Sequence, residues 1–161
     1  MRGTDLRRQD KEITDPALID AIIRNALVCR IALIDREMPY IVPLSFGYDG
    51  RSIYLHSAGE GRKIDILKRN PRVCFEFETD CAVLPAQKAC AFTMRYRSVI
   101  GYGTTRFPEG AAAKREALQI IMHQYAREDF AITDEEADRI LIIRIDIEQL
   151  SAKQSGFKQE F

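Results

Sequence analysis

The chain has 161 residues, of which 46% are apolar and 30% are charged. This length and composition predict a single domain, residues 1–161, with a sizeable core, and they exclude a chain that is disordered throughout. Lysine plus arginine and aspartate plus glutamate both total 24, so no uniform charge recruits nucleic acid or an anionic membrane without specificity, and any anion site must be local.

The N-terminal segment lacks the apolar region of a secretory signal, and the chain lacks a predicted membrane span. The first residues, MRGTDLRRQDKE, have no apolar stretch, and no later run reaches the roughly 18 apolar residues of a membrane span. We therefore expect a cytoplasmic protein with no membrane partner. We also expect an exposed arm over residues 1–13 and a loosely held tail over residues 152–161.

The predicted elements alternate between helical and extended periods along the chain. In chain order, the predicted helices cover residues 15–26, 61–70, 111–126 and 133–139. The predicted strands cover residues 28–34, 39–48, 51–57, 73–79, 90–107 and 140–154. Asp15 followed by Pro16 is a helix-start signal, and Gly101 with Gly103 marks a bend or bulge in the fifth strand. About six short antiparallel strands with flanking helices predict a closed or partly closed β-barrel of the mainly β, α+β class.

The four cysteines lack any CxxC spacing, and only two histidines could assist them in holding a metal. They are Cys29, Cys74, Cys81 and Cys90. Cys29 and Cys74 lie in apolar runs, where a reduced thiol behaves as a small apolar group. We predict free thiols and no metal site. A redox role for Cys81 and Cys90, which flank the loop-like segment VLPAQKA, stays open.

The corner between the third strand and the second helix, SAGEGRK, combines groups that bind a phosphate. A helix N-terminus offers unpaired N–H groups and a positive potential. Ser57 can donate a hydroxyl, Arg62 and Lys63 supply charge-assisted hydrogen bonds, and the two glycines permit close backbone approach. Adjacent cations at a helix start are also common as solvated groups, so this corner alone leaves both interpretations open.

His56 directly precedes this corner, and a phosphate site does not explain it. Neighbouring side chains of a strand point to opposite faces, so His56 and Ser57 address one group only if the strand has already ended. The alternatives are a packed or hydrogen-bonded histidine, a donor in a ligand pocket, a proton source and an axial haem ligand. We favour the pocket donor. His123, on a predicted helix, is expected at the surface.

Three segments occur together in one order: RIALID with PYIVPLSFGYDG, then RSIYLHSAGEGRKIDILKRNPRVCFEFE, then MRYRSVIGYGTTRF. This combination resembles the pyridoxamine 5'-phosphate oxidase-like superfamily, and in particular its branch related to 5-nitroimidazole resistance proteins. The similarity runs over about residues 8–150, which makes it more specific than the corner alone. It implies a split β-barrel that binds FMN at a homodimer interface, with each site built from both subunits.

The resemblance also implies which residues hold the flavin. Along the isoalloxazine ring it places Val42, Pro43, Leu44 and Ser45. On the phosphate side it places His56, Ser57, Arg62 and Lys63. The strand that closes the pocket contributes Arg97, Ser98 and Val99. The chain lacks the basic C-terminal segment that pyridoxamine phosphate oxidases use for the substrate phosphate, which disfavours vitamin B6 oxidation.

The resulting hypothesis is an FMN-dependent oxidoreductase. It would pass a hydride or electrons from a reduced donor such as NAD(P)H to an electron-poor acceptor such as a nitroaromatic or a quinone. The flavin performs the redox chemistry, while His56 or Tyr102 would deliver a proton, which makes His56 the candidate catalytic residue. Two alternatives stay open: a flavin carrier or sensor without catalysis, and a haem protein that uses the same dimer cleft with His56 as the iron ligand.

Overall fold

Eight antiparallel β-strands form one sheet in the computed structural model, which describes residues 8–126 and 128–157. The strands are β1 (Glu12–Ile13), β2 (Cys29–Asp35), β3 (Met38–Leu44), β4 (Phe46–Tyr48), β5 (Ser52–Ser57), β6 (Arg72–Leu84), β7 (Thr93–Arg106) and β8 (Leu141–Ser155). Neighbours follow the order β3-β2-β6-β7-β8-β5-β4, and β1 pairs with β8. All these pairs are antiparallel, as the short connections predict.

The sheet closes on itself at Ser45. β3 and β4 stand at opposite ends of the pairing order, yet only this residue separates Leu44 at the end of β3 from Phe46 at the start of β4. The sheet must therefore curl until its two ends meet, and the chain itself joins them. The predicted mainly β, α+β split barrel is confirmed. The predicted single strand over residues 39–48 is instead divided in two at this seam.

Four α-helices of the described residues pack on the barrel: α1 (Pro16–Asn25), α2 (Arg62–Arg69), α3 (Ala111–Tyr125) and α4 (Asp134–Asp138). The start signal of α1 is confirmed, because the Asp15 carboxylate accepts a hydrogen bond of 2.9 Å from the Ala17 N–H, next to Pro16 in the first turn. Across the part of the chain that the structure describes, no helix is long and apolar enough to span a membrane.

The barrel interior holds the main apolar core. Alternate strand residues point inward and have almost no exposed surface, and α1 and α2 add apolar side chains of their own. Members of this core are Ile31, Leu33, Ile53, Leu55, Phe75, Phe77 and Val99 from the strands and Ile22, Ile23, Ile64 and Leu67 from the helices. Because side chains fill the interior, a ligand the size of a flavin must bind at an end of the barrel or on its outside.

α3 covers the outer face of β4 and β5. Gly47 makes this contact possible, since a Cβ at this position would lie 2.6 Å from the backbone of Ile120 and of Ile121. At the end of α3, the Tyr125 hydroxyl accepts a hydrogen bond of 2.9 Å from the Phe46 N–H and donates one of 3.1 Å to the Leu27 carbonyl. One tyrosine therefore ties the start of β4 to the segment that precedes β2.

Both chain ends contribute more to the sheet than expected. Residues 12 and 13 are not an exposed arm, since Ile13 is buried and lies opposite Ala152. Ala152 in turn belongs to β8, which continues to Ser155, so residues 152–155 are not a loose tail. Each of these segments is a strand because it pairs with the other, and single-segment patterns do not reveal that. Residues 1–7 and 158–161 of the predicted arm and tail lie outside the described residues.

In the hairpin of β6 and β7, the first strand is longer than predicted and the second begins later. β6 continues to Leu84 and β7 begins at Thr93, whereas the prediction ended the first strand at residue 79 and started the next at residue 90. The register of β6 against β7 shifts between Thr79 and Ala82. The alternation of inward and outward side chains is interrupted there, so the sequence pattern does not indicate that the strand continues.

The predicted bulge near Gly101 and Gly103 is confirmed. The register of β7 against β8 shifts between Tyr102 and Gly103. A Cβ at Gly103 would lie 2.4 Å from the Asp146 carbonyl oxygen, so the absence of a side chain lets the two strands approach here.

All four cysteines are free thiols, as predicted. Cys29 is buried, and this burial raises its thiol pKa, so the thiol stays protonated and packs as an apolar group. Cys74 is half-buried, while Cys81 and Cys90 are exposed.

Candidate functional site

The strand-to-helix corner of the sequence is an anion-binding geometry in the structure. β5 ends at Ser57 and α2 begins at Arg62 after an exposed loop. Gly61 occupies the N-cap position with φ +115°, a conformation that favours glycine, and no side chain caps the helix there. The first N–H groups of α2 therefore face the loop without a side-chain partner, where the helix dipole favours an anion.

Ser57 supplies a second feature of this corner. The residue is only 9% exposed, and its hydroxyl is buried with no hydrogen-bond partner among the described residues. Buried hydroxyls in proteins almost always have a partner, so an orphan of this kind calls for a group that the chain alone does not supply. A hydroxyl, helix N–H groups and adjacent cations form a donor set that fits a phosphate.

The two cations of the corner have different surroundings. The Arg62 Nε donates a hydrogen bond of 3.0 Å to Asp35 at the end of β2, and the guanidinium lies 4.4 Å from the centroid of the Tyr40 ring. Arg62 is thus held against the β2–β3 hairpin by an ion pair and a cation–π contact. The Lys63 side chain is half-buried, and the salt bridges of α2 involve Arg62 and Arg69 instead.

The segment predicted to line a ring, residues 42–45, divides between two faces of β3. Val42 lies opposite the buried Ile31 and faces the barrel interior, as does Leu44. Pro43 and Ser45 are exposed. A flat ring on the outside of this strand would contact Pro43 and the main chain, and not the side chains of Val42 and Leu44.

The third predicted segment, residues 97–99, lies at the other end of the barrel. Ser57 is opposite Leu141 on β8, whereas Arg97 is opposite Gln154 of the same strand. The thirteen residues of strand from Leu141 to Gln154 span about 43 Å. Val99 has no exposed side-chain surface. One chain therefore does not bring this segment to the phosphate corner.

Arg97 itself is held by three neighbours. It forms a salt bridge of 3.3 Å with Asp80 and a hydrogen bond of 3.3 Å with Gln154, and its guanidinium lies 4.0 Å from the centroid of the Phe157 ring. Sequence reasoning missed all three partners, because they are distant along the chain. Ser98, the next residue, is half-buried and turns toward the opposite face of β7.

His56 and Ser57 point to opposite faces of β5, as the alternation rule predicts. Ser57 shares the inner face with Leu55, while His56 is exposed on the outer face, opposite Ile142 of β8. Tyr102, the other predicted proton donor, lies opposite Gln149, seven residues further along β8 and so about 23 Å away. His56 and Tyr102 of one chain do not share a site.

The sequence matches the family described as pyridoxamine 5'-phosphate oxidase over residues 15–154. The chain belongs to this family. A candidate 5-nitroimidazole antibiotic resistance protein from Bacteroides thetaiotaomicron is 34% identical, with a TM-score of 0.80; the match covers 89% of this chain and 86% of that chain. The resemblance to the nitroimidazole resistance branch is thus confirmed. A search of curated proteins found no match.

Two more distant members of the fold are similar over most of this chain. An FAD and heme binding protein from Mycobacterium smegmatis is 22% identical, with a TM-score of 0.81, and the match covers 94% of this chain and 77% of that chain. A flavocytochrome from Azotobacter vinelandii is 19% identical, with a TM-score of 0.79, and the match covers 96% of this chain and 75% of that chain. At these identities the likeness shows the fold alone.

In this member of the pyridoxamine 5'-phosphate oxidase family, the outer face of β3, β2, β6 and β7 carries an exposed apolar patch beside the Arg30–Glu76 salt bridge, and the described residues do not cover it. Ile41, Ala32, Cys74 and Tyr102 follow each other across the four strands in register, so their side chains share this face. Large exposed side chains on it are Ile34, Ile41, Ile100 and Tyr102. A depression of about 330 Å³ lies among Ala32, Pro39, Cys74 and their neighbours.

Sequence reasoning missed this outer face. The available signal was apolar residues on both faces of β2 and β7, since a strand with one solvated face alternates apolar and polar residues. Ile34 and Tyr102 break that alternation, and together they indicate a face that something covers.

Proposed function

We propose that the protein binds FMN between two copies of the chain and works as an oxidoreductase that passes electrons to an electron-poor acceptor such as a nitroaromatic or a quinone. The observation that carries this proposal is the buried, unpartnered Ser57 hydroxyl beside the uncapped start of α2. The 34% identity to a candidate 5-nitroimidazole resistance protein supports the choice of acceptor class. The two more distant relatives are an FAD and heme binding protein and a flavocytochrome, which supports a flavin as the cofactor class.

Two segments of one copy would hold the flavin, and a third would come from the second copy. Ser57, the first N–H groups of α2, Lys63 and Arg62 would bind the phosphate. Pro43 and the main chain of β3, with Ser45 at the seam, would lie along the ring. When bound, the flavin supplies the redox chemistry, and the protein supplies binding, orientation and electrostatics.

The segment of residues 97–99 would reach this flavin from a second copy of the chain. Within one copy, about 43 Å of β8 separates the residue opposite Arg97 from the residue opposite Ser57. The exposed apolar face of β3, β2, β6 and β7 would then be the surface on which the two copies meet. In such a dimer, Arg97 of the partner subunit would bring a positive charge near the ring.

The test begins with the protein as purified. Bound flavin gives the two absorption bands of an oxidised isoalloxazine, and extraction with analysis by chromatography distinguishes FMN from FAD and riboflavin. If the protein is colourless, reconstitution with FMN is followed by flavin fluorescence. A colourless protein that does not take up FMN would sink the proposal.

Turnover then separates an enzyme from a carrier. Under anaerobic conditions, NADH or NADPH is expected to bleach the flavin, and a nitroimidazole or a quinone is expected to restore its colour repeatedly. Bleaching without reoxidation by any acceptor would indicate a carrier or sensor.

Haem is the second candidate cofactor, favoured by the exposed His56 and by the names of the two distant relatives. A Soret band in the purified protein that disappears in the His56→Ala variant would establish it in place of flavin.

A further inference from the structure

Asp35 joins both ends of α2 to the barrel. Its carboxylate accepts a hydrogen bond of 3.0 Å from Arg62 through one oxygen and one of 2.9 Å from Arg69 through the other. Arg62 and Arg69 are the first and last residues of the helix, seven positions apart and therefore on one face. The Asp35 side chain is 21% exposed, whereas those of the two arginines are 57% and 59% exposed.

This arrangement places a carboxylate against a cation of the proposed phosphate site. Arg62 is one of the two basic residues that open α2, next to Gly61 and the loop from Ser57. In the structure its Nε donates to Asp35 and its guanidinium stacks on Tyr40, so its charge and one of its hydrogen-bond donors are already engaged. A phosphate that approaches the corner must compete with Asp35 for Arg62 and also meets the negative charge of that carboxylate.

We infer that Asp35 is a positioning residue that lowers the affinity of the corner for phosphate by holding Arg62 on the β2–β3 hairpin. Arg69 moderates this hold, because it shares the same carboxylate. Lys63, which forms no salt bridge with a described residue, is then the cation that meets the phosphate first. The inference rests on the proposed FMN site and adds to it a residue that sets how tightly the phosphate end is bound.

The expected size of the effect follows from the exposure of the pair. Ion pairs near the surface contribute little free energy, and neutralising one partner changes an equilibrium by roughly two- to fivefold. Asp35→Asn should therefore strengthen FMN binding about two- to fivefold, while riboflavin, which has no phosphate, should bind unchanged. The gain should shrink as salt is raised, since both the competition and the repulsion are electrostatic.

The experiment measures dissociation constants for FMN and riboflavin by quenching of flavin fluorescence. Wild type, Asp35→Asn and the control Asp65→Asn are compared. Asp65 lies on the same helix and lines the same surface depression as Asp35 and Arg62, so the control removes the same charge without removing the salt bridges. A double-mutant cycle with Arg62→Gln adds the decisive readout, because the gain from Asp35→Asn should shrink to that of Asp65→Asn when Arg62 is absent.

A second pair of variants tests the inference in the other direction. In the Arg69→Gln variant, Asp35 forms a salt bridge with Arg62 alone and should hold it more strongly. The control is Lys68→Gln, which removes an equal charge from the neighbouring position. FMN should bind more weakly to Arg69→Gln than to Lys68→Gln. This pair also serves if Asp35→Asn does not fold.

The inference fails if wild type binds FMN but Asp35→Asn leaves the ratio of FMN to riboflavin affinity unchanged or lowers it. It also fails if the full gain persists in the Arg62→Gln background, or if Asp65→Asn produces the same gain as Asp35→Asn. Absence of FMN binding in wild type and in every variant would instead overturn the proposed function, so the two failures are distinguishable.

Discussion

The Ser57 hydroxyl is buried, and no group of residues 8–126 and 128–157 forms a hydrogen bond with it. Such a group costs about 1–3 kcal/mol of stability, because the hydrogen bonds it made with water in the unfolded chain are not replaced. Ser52, on the same strand, shows the ordinary alternative: it is 1% exposed, and its oxygen accepts a hydrogen bond of 3.2 Å from the Arg144 Nε. The described residues supply a hydrogen-bond partner for the hydroxyl of Ser52 but not for that of Ser57.

We predict opposite effects of Ser57→Ala on stability and on binding. The flavin-free protein should be equally stable or about 1 kcal/mol more stable, since the variant removes an unsatisfied buried group. FMN binding should weaken about tenfold, because a hydrogen bond to a charged phosphate is lost. Urea unfolding and FMN titration measure the two effects.

Ser52→Ala is the matched control for this prediction. It should destabilise the protein by about 1 kcal/mol, because it removes the acceptor of the Arg144 hydrogen bond, and it should leave FMN affinity unchanged. If Ser57→Ala destabilises the protein as Ser52→Ala does and leaves FMN affinity intact, the Ser57 hydroxyl has no ligand.

The types of residue at the corner were predictable from the sequence, but their partners were not. A hydroxyl, glycines and two cations at a strand-to-helix transition indicate a phosphate site without any coordinates. Arg62 binds Asp35, which lies 27 residues earlier in the chain. This contact depends on how the β2–β3 hairpin lies against α2. Pairings across such distances are set by topology, which local patterns do not encode.

At the scale of elements, the close packing of α3 on β4 depends on the absence of a side chain at Gly47. A Cβ at Gly47 would lie 2.6 Å from the backbone of Ile120 and Ile121. Backbone atoms of a 15-residue helix have no flexible end that could give way. A larger residue must therefore displace the whole helix or distort β4.

Gly47→Ala should destabilise the protein by about 1–3 kcal/mol, the usual cost of overpacking. Chemical denaturation monitored by circular dichroism measures the change. Gly59→Ala is the control, because a Cβ at Gly59 meets nothing within 4 Å, and its stability should stay within about 0.5 kcal/mol of wild type. Equal stability of the two variants would mean that α3 is not packed against Gly47 in solution.

The elements also show why strand boundaries were predicted less well than strand existence. The long strands β6, β7 and β8 carry a strong period-two pattern over most of their length. β1 has two residues, and they become a strand because Glu12 and Ile13 meet Lys153 and Ala152. The division of the predicted strand 39–48 at Ser45 is likewise a consequence of barrel closure, which no window of sequence contains.

At the scale of the molecule, the uncovered apolar face predicts how the chain associates. Ile100 is 41% exposed at the centre of β7 and shares this face with Tyr102 and Ile41. Ile100→Glu places a charge where the second copy would pack. We expect the variant to be a monomer by light scattering coupled to size-exclusion chromatography, and to lose FMN, because the site would lack residues 97–99 of the partner.

Phe130→Glu is the control for this substitution. Phe130 is 39% exposed on the connection between α3 and α4, away from the apolar face of the sheet. This variant should keep the association state and the FMN affinity of wild type. A dimeric Ile100→Glu variant with normal FMN affinity would rule out this face as the interface.

The Tyr125 hydroxyl has a consequence for how the chain is made. It binds the Phe46 N–H and the Leu27 carbonyl, which lie 79 and 98 residues earlier. A nascent chain emerges from the ribosome with its N-terminal part first, so β2, β3 and β4 leave the tunnel long before the tyrosine that ties their two ends together. β8 also lies late in the chain. We therefore expect the barrel to close late in synthesis, after the edges of its first strands have been exposed on the ribosome.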